Sequence, residues 1–126
     1  MKSFIVSICF FLVFAFLVTI NCIRVTDILG TILDSLCELP ESEGNSIPDI
    51  ARQKTDSICT YWAKNRDFLS LSVNNSELRD CQNALYDLAG YSASDTGADY
   101  DASLSKARTV ISDLAERESV SLFNIF

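Results

Sequence analysis

The chain has no histidine among its 126 residues. That absence removes the commonest general base, the commonest zinc ligand and any catalytic triad built on imidazole. Glycine (4 residues) and proline (2) are scarce as well, and the glycines stand too far apart to form a phosphate loop or a dinucleotide fingerprint. A nucleophile elbow is missing, and so is any Cys-x-x-Cys pair that would support redox chemistry. Basic residues are few, 10 against 17 acidic ones, for a net charge of −7. Such a surface repels phosphate backbones and anionic headgroups, so no nucleic-acid partner is expected. Nothing supplies a base, a nucleophile and an oxyanion site together, so the chain is not expected to be an enzyme or to carry a cofactor.

What the sequence does have is one long apolar run. Phe4 to Ile23 (FIVSICFFLVFAFLVTINCI) is twenty residues without a charge, holding five of the eight phenylalanines, with Ser7, Thr19 and Asn21 its clearly polar members. As a helix it rises ~30 Å, the thickness of a bilayer's hydrocarbon core. A cleaved signal would have a shorter core and a small-x-small site, and Val18 to Ile23 offers no Ala-x-Ala. A lipoprotein signal ending at Cys22 would need a small residue where Asn21 stands. The expectation is a retained anchor over residues 1–23 and an acidic helical domain over 24–126. Beyond Ile23, nine basic side chains face seventeen acidic ones. Lys2 and the amino terminus flank the run on one side, and Arg24, soon offset by Asp27 and Asp34, on the other. The positive-inside bias places the N-terminus in the cytoplasm and the domain outside it, in a single-pass cell-membrane protein.

Apolar spacing continues past the anchor. Val25, Leu29, Ile32, Leu36 and Leu39 recur in steps of four and three, a heptad seam, so the anchor helix is predicted to run on as a stalk to Pro40. Gly30 within it costs ~1 kcal/mol of helix propensity and would suit a close approach or a kink. Residues 40–48 (PESEGNSIP) read as a loop. A second helix follows, with Pro48 in its first turn and Ile50 or Ala51, Ile58, Trp62 and Leu69 on its apolar face. Asn74, with Glu77 three residues on, looks like a capping pair opening a third helix that bears Leu78, Cys81, Leu85 and Leu88. After the turn-rich 90–97 stretch, Tyr100, Leu104, Ala107, Ile111 and Leu114 form a second heptad run. The apolar tail 120–126 is expected to dock on the bundle. Short connections make neighbours antiparallel. The predicted fold is therefore all-α, an N-terminal transmembrane helix continuing into an antiparallel bundle of about four helices. Trp62, Leu36, Leu85, Ile111 and Phe126 are its candidate core or interaction anchors.

Three features invite a chemical reading. Cys37, Cys59 and Cys81 lie outside the apolar run at intervals of 22 residues. An odd count leaves at least one thiol free or paired between chains. Cys59 with Cys81 is the candidate disulfide. If the second and third helices turn near Ser72, facing residues should total about 145 in number, so this pair needs an earlier turn. Otherwise each cysteine acts as a small hydrophobe. Asp95, Asp99 and Asp101 crowd the turn before the fourth helix, but Gly97 occupies a ligand slot and no distal Glu follows, so a calcium loop fails and capping explains them. Trp62 with Tyr61 and Phe68 could form a ligand platform, although a lone Trp on an apolar helix face is more often a core anchor.

Several stretches together resemble a bacterial family known as a domain of unknown function, numbered four-three-six-three. They are Trp62, Val73 to Leu78 (VNNSEL), Ala84-Leu85 through Tyr91, Tyr100 to Ile111 and the ending SLFNIF. The resemblance implies a small single-span protein with a helical extracytoplasmic domain. It also implies a membrane-protein partner, because the family's genes stand beside those of small polytopic membrane proteins. Asn75 stands where relatives have His, and Arg79 where they have Asp. The expected role is a membrane-anchored interaction or accessory protein at the cell envelope, in contact with lipid through residues 4–23 and with a membrane protein or a second copy of itself. The alternative is an extracytoplasmic cation or small-ligand sensor using the acidic surface.

Overall fold

The computed structural model describes residues 1–43, 46–94 and 97–125, the last seven of these as backbone only. Four helices, α1 (Lys2–Cys37), α2 (Asp49–Leu69), α3 (Asn75–Ser92) and α4 (Gly97–Ile125), make up the chain. The described residues contain no strand, only an isolated bridge between Glu43 and Ser46 in the first loop. The class is all-α, an antiparallel bundle with a long apolar helix at the N-terminus.

Each helix packs on two neighbours. α1 and α3 both lie against α2 and α4, so the four stand at the corners of a square in up-down-up-down order. The core is built from the periodic residues: Val25, Leu29, Ile32 and Leu36 from α1, Ile58, Trp62 and Leu69 from α2, Leu78, Cys81, Leu85 and Leu88 from α3, and Tyr100, Leu104, Ala107, Ile111 and Leu114 from α4. Both heptad seams are therefore consumed inside the bundle. Neither is left open for a coiled-coil partner. Leu36, Trp62, Leu85 and Ile111 each come from a different helix and all are fully buried. Phe126 lies outside the described residues.

α1 is one unbroken helix of 36 residues. Its residues from Lys2 to Phe14 are exposed all round, and the first fully buried position is Val25, next to Arg24. Its most apolar window has no buried share, and by length and composition the helix could cross a membrane. Gly30 neither kinks α1 nor admits a neighbour, since a Cβ built there meets nothing within 4 Å. Asn74 caps α3 by accepting from the Ser76 N–H at 2.8 Å. Glu77 does not complete the capping box; its carboxylate is taken by Arg117 of α4. Pro48 serves as the cap of α2 instead of its first helical residue.

These placements separate two kinds of substitution. Leu85→Ala should cost about 2–5 kcal/mol, the loss of buried methyl groups plus a cavity. Gly30→Ala should stabilise the bundle by roughly 0.5–1 kcal/mol, because the added methyl meets open space and the helix loses a flexible residue. Denaturant titration of the detergent-solubilised chain, followed by the emission of the single Trp62, reads both.

Candidate functional site

The end of the bundle farthest from the apolar segment is tied by α4 to the last turn of α1. The terminal carbonyls of a helix have no internal partner, and α1 has no basic residue in its own last turn. Arg108 of α4 supplies both needs. Its Nε–H donates to the Leu36 carbonyl at 3.0 Å and a terminal N–H donates to the Leu39 carbonyl at 3.1 Å, placing a cation at the negative end of the dipole. Tyr100 donates its hydroxyl to the Pro40 carbonyl at 2.8 Å. Asp101 accepts from the Ser42 N–H at 2.9 Å and from its hydroxyl at 2.6 Å, and these bonds hold its carboxyl below the ordinary value. Asp101, read from the sequence as one of a crowd of solvated acids, is thus a loop clamp. Arg108 was not singled out by periodicity, since it lies one position past the core residue Ala107. Its signal was the missing cation at the end of α1.

The α2–α3 pair has a definite register. Cys59 Sγ lies 3.6 Å from the Leu85 carbonyl, and Trp62 Nε1 lies 3.5 Å from Gln82 Oε1. Both pairs total 144 in residue number, so Cys59 faces Leu85 and stands one turn, ~6 Å, from the level of Cys81. That offset explains why the candidate Cys59–Cys81 disulfide is absent and all five cysteines are free. Burial pushes the Cys59 thiol up to about 11, with Asp56 adding to the effect. Burial likewise takes Cys81 to about 12, helped by Asp80 and Glu77 and opposed by Arg117.

Among the described residues, two grooves run between helices. The α1–α2 groove, about 240 Å³, is lined by Thr31, Ile32, Ser35, Glu38, Lys54, Ser57, Ile58 and Tyr61. Small side chains on both helices keep it open. It adjoins a shallow depression on the outer face of α1 formed by Ile23, Thr26, Asp27, Gly30, Thr31 and Asp34. The α3–α4 groove, about 350 Å³, carries Glu77, Asp80 and Asp113 with Lys106 and Arg117. Its acids are partly balanced: Arg117 pairs with Glu77 in a half-exposed geometry of small net worth. Glu118 nearby is raised, first by burial and then by Glu77. No group of three or more His, Cys, Asp or Glu that could hold a metal ion is found among the described residues. Trp62 fills the core and offers no ligand platform. The site-like features among the described residues are therefore open grooves between helices.

The thiols should react in the order of their exposure. At pH 8 a maleimide should label the exposed Cys37 in seconds to minutes and leave Cys59 and Cys81 unmodified until the bundle is denatured. Because both folded thiols are raised above 9.0, the stability they contribute is complete below pH 9 and is lost as the pH rises through about 11 for Cys59 and about 12 for Cys81. A fall in denaturation midpoint confined to that alkaline range, and reduced in Cys81→Ala, is the check.

No family model matches the chain, and neither curated proteins nor solved structures give a significant match.

Proposed function

We propose that the protein is a non-enzymatic, membrane-anchored helical module that works by contact with another membrane protein or with a second copy of itself. The N-terminus is cytoplasmic, residues 1–23 form the anchor, and the acidic bundle of residues 24–126 stands outside at the cell envelope. The observation that carries this reading is the shared helix. One continuous α1 is exposed and largely apolar through Phe14 and a stave of the core from Val25 onward. A partner that grips the apolar half is then mechanically coupled to the bundle, with no flexible tether between. The open outer face of α1 gives the partner a place to extend beyond the membrane. Gly30 there weakens the helix and serves no contact within the chain, as a close helix–helix approach would require.

Membership of the bacterial single-span family that the sequence resembles would imply the same architecture. Its matching positions Trp62, Leu78, Leu85, Tyr100 and Ile111 are all core residues, so it speaks to packing more than to a site. Orientation rests on Lys2 and the amino terminus against an Arg24 offset by nearby acids.

Benzoyl-phenylalanine placed at Phe11 and at Thr31 should trap one discrete protein, or a second copy, on illumination of native membranes. Gly30→Leu should abolish the Thr31 adduct without lowering the stability of the bundle. Adducts with lipid alone at both positions would sink the proposal. A membrane-impermeant maleimide applied to intact cells should label Cys37; labelling only after lysis reverses the orientation.

A further inference from the structure

The end of the bundle from which α1 emerges overlaps the apolar run instead of clearing it. Along α1, Ala15, Val18, Thr19, Asn21 and Cys22 are half-buried, whereas residues 1–14 are exposed. The chain therefore packs on its own apolar helix about two turns below Val25. Asn21 donates its side-chain N–H to the Ser72 hydroxyl, 51 residues away in sequence. The Arg24 guanidinium lies over the Phe68 ring, 4.8 Å from its centroid. These contacts fix the α2–α3 turn level with the last residues of a run that needs about twenty residues to fill a bilayer.

The segments gathered at that level carry no charge. Residues 68–76 (FLSLSVNNS) lack any ionisable side chain, and at their tip Leu71 is 77 % exposed. On α4 the last charge is Glu118, after which the helix runs uncharged through residues 119–125 (SVSLFNI). Arg108 reaches Leu36, and at ~1.5 Å per residue in an antiparallel pair Ile125 then falls about level with Thr19. The nearest acids of α2 and α3, Asp67 and Glu77, stand roughly 6 Å farther from the apolar segment by the same rise. Arg24 over an aromatic ring is the arrangement of a snorkelling cation at a membrane interface. A single exposed leucine on a soluble surface would mean little. Here it caps an uncharged end on a protein that is acidic elsewhere, at the depth of the apolar run.

We infer that this end of the bundle is a second lipid-contacting surface, with the α2–α3 turn around Leu71 seated in the interfacial layer of the same bilayer that α1 crosses. The inference rests on α1 being a membrane span. The bundle then sits on the membrane without a gap, and its acidic distal end points away from the headgroups.

The test uses tryptophan variants of the full chain in phosphatidylcholine vesicles, with and without acyl chains brominated at both a shallow and a deep position. Phe11→Trp reports the span, Leu71→Trp the turn and Ile50→Trp the distal end; all three positions are exposed, so each variant should fold. The emission of buried Trp62, common to all, is subtracted using the parent protein. Brominated lipid should quench Leu71→Trp and Phe11→Trp and leave Ile50→Trp unchanged. Quenching at position 11 without quenching at 71 overturns the inference and leaves the span intact. No quenching at either position overturns the spanning reading and this inference with it, and quenching at all three overturns the upright seating.

Discussion

The burial of one side of α1 against α2 and α4 is the constraint on which the rest of this structure depends. From Val25 to Leu36, α1 presents Val25, Ile28, Leu29, Ile32 and Leu36 to the core, none of them more than 3 % exposed. Each such side chain contributes about 1.5–3 kcal/mol when removed from water. Without that burial, α2, α3 and α4 would be a three-helix set with one open apolar face. With it, the helix that carries the apolar N-terminal segment cannot be separated from the fold. Any force or partner acting on the exposed start of α1, through Phe14, acts on the core as well.

The polar contacts are few and placed where the helices end. Arg108, Tyr100 and the Asp101–Ser42 clamp satisfy the carbonyls and loop amides that follow the end of α1. A long helix leaving a core must have its last carbonyls met by something, because unpaired buried acceptors are costly. Meeting them from α4 closes the square, since α1 and α4 are the first and last elements of the chain and share no short loop. At the opposite end the Asn21–Ser72 bond and the Arg24–Phe68 contact hold α2 to α1. The tethers of α1 therefore lie at the two ends of the bundle, while the middle of the α2–α3 pair adds the Cys59–Leu85 and Trp62–Gln82 contacts to its packing.

Much of the fold could be read from periodicity. The steps of three and four from Val25 to Leu39 and from Tyr100 to Leu114 named the buried faces correctly, because an amphipathic helix in water has only one face it can bury. The purpose of those seams was less legible. The structure pairs them with each other and with α2 and α3. Gly30 looked like a contact or a kink and is neither within this chain. Glu77 looked like a capping partner of Asn74, but an arginine forty residues away competes for it more strongly.

Local chemistry, and so the sequence by itself, determined where the apolar run lies, where helices begin and stop, and which side of each helix is apolar. These depend on residues within a turn or two of one another. Only the tertiary structure decided the registers. Cys59 faces Leu85 and not Cys81, Arg108 caps a helix seventy residues upstream, and the α2–α3 turn stands level with Asn21. A register is chosen by the sum of many weak contacts across two helices and by the closure of the loops between them. A shift of one turn leaves every local pattern unchanged while moving every long-range neighbour by ~5.4 Å.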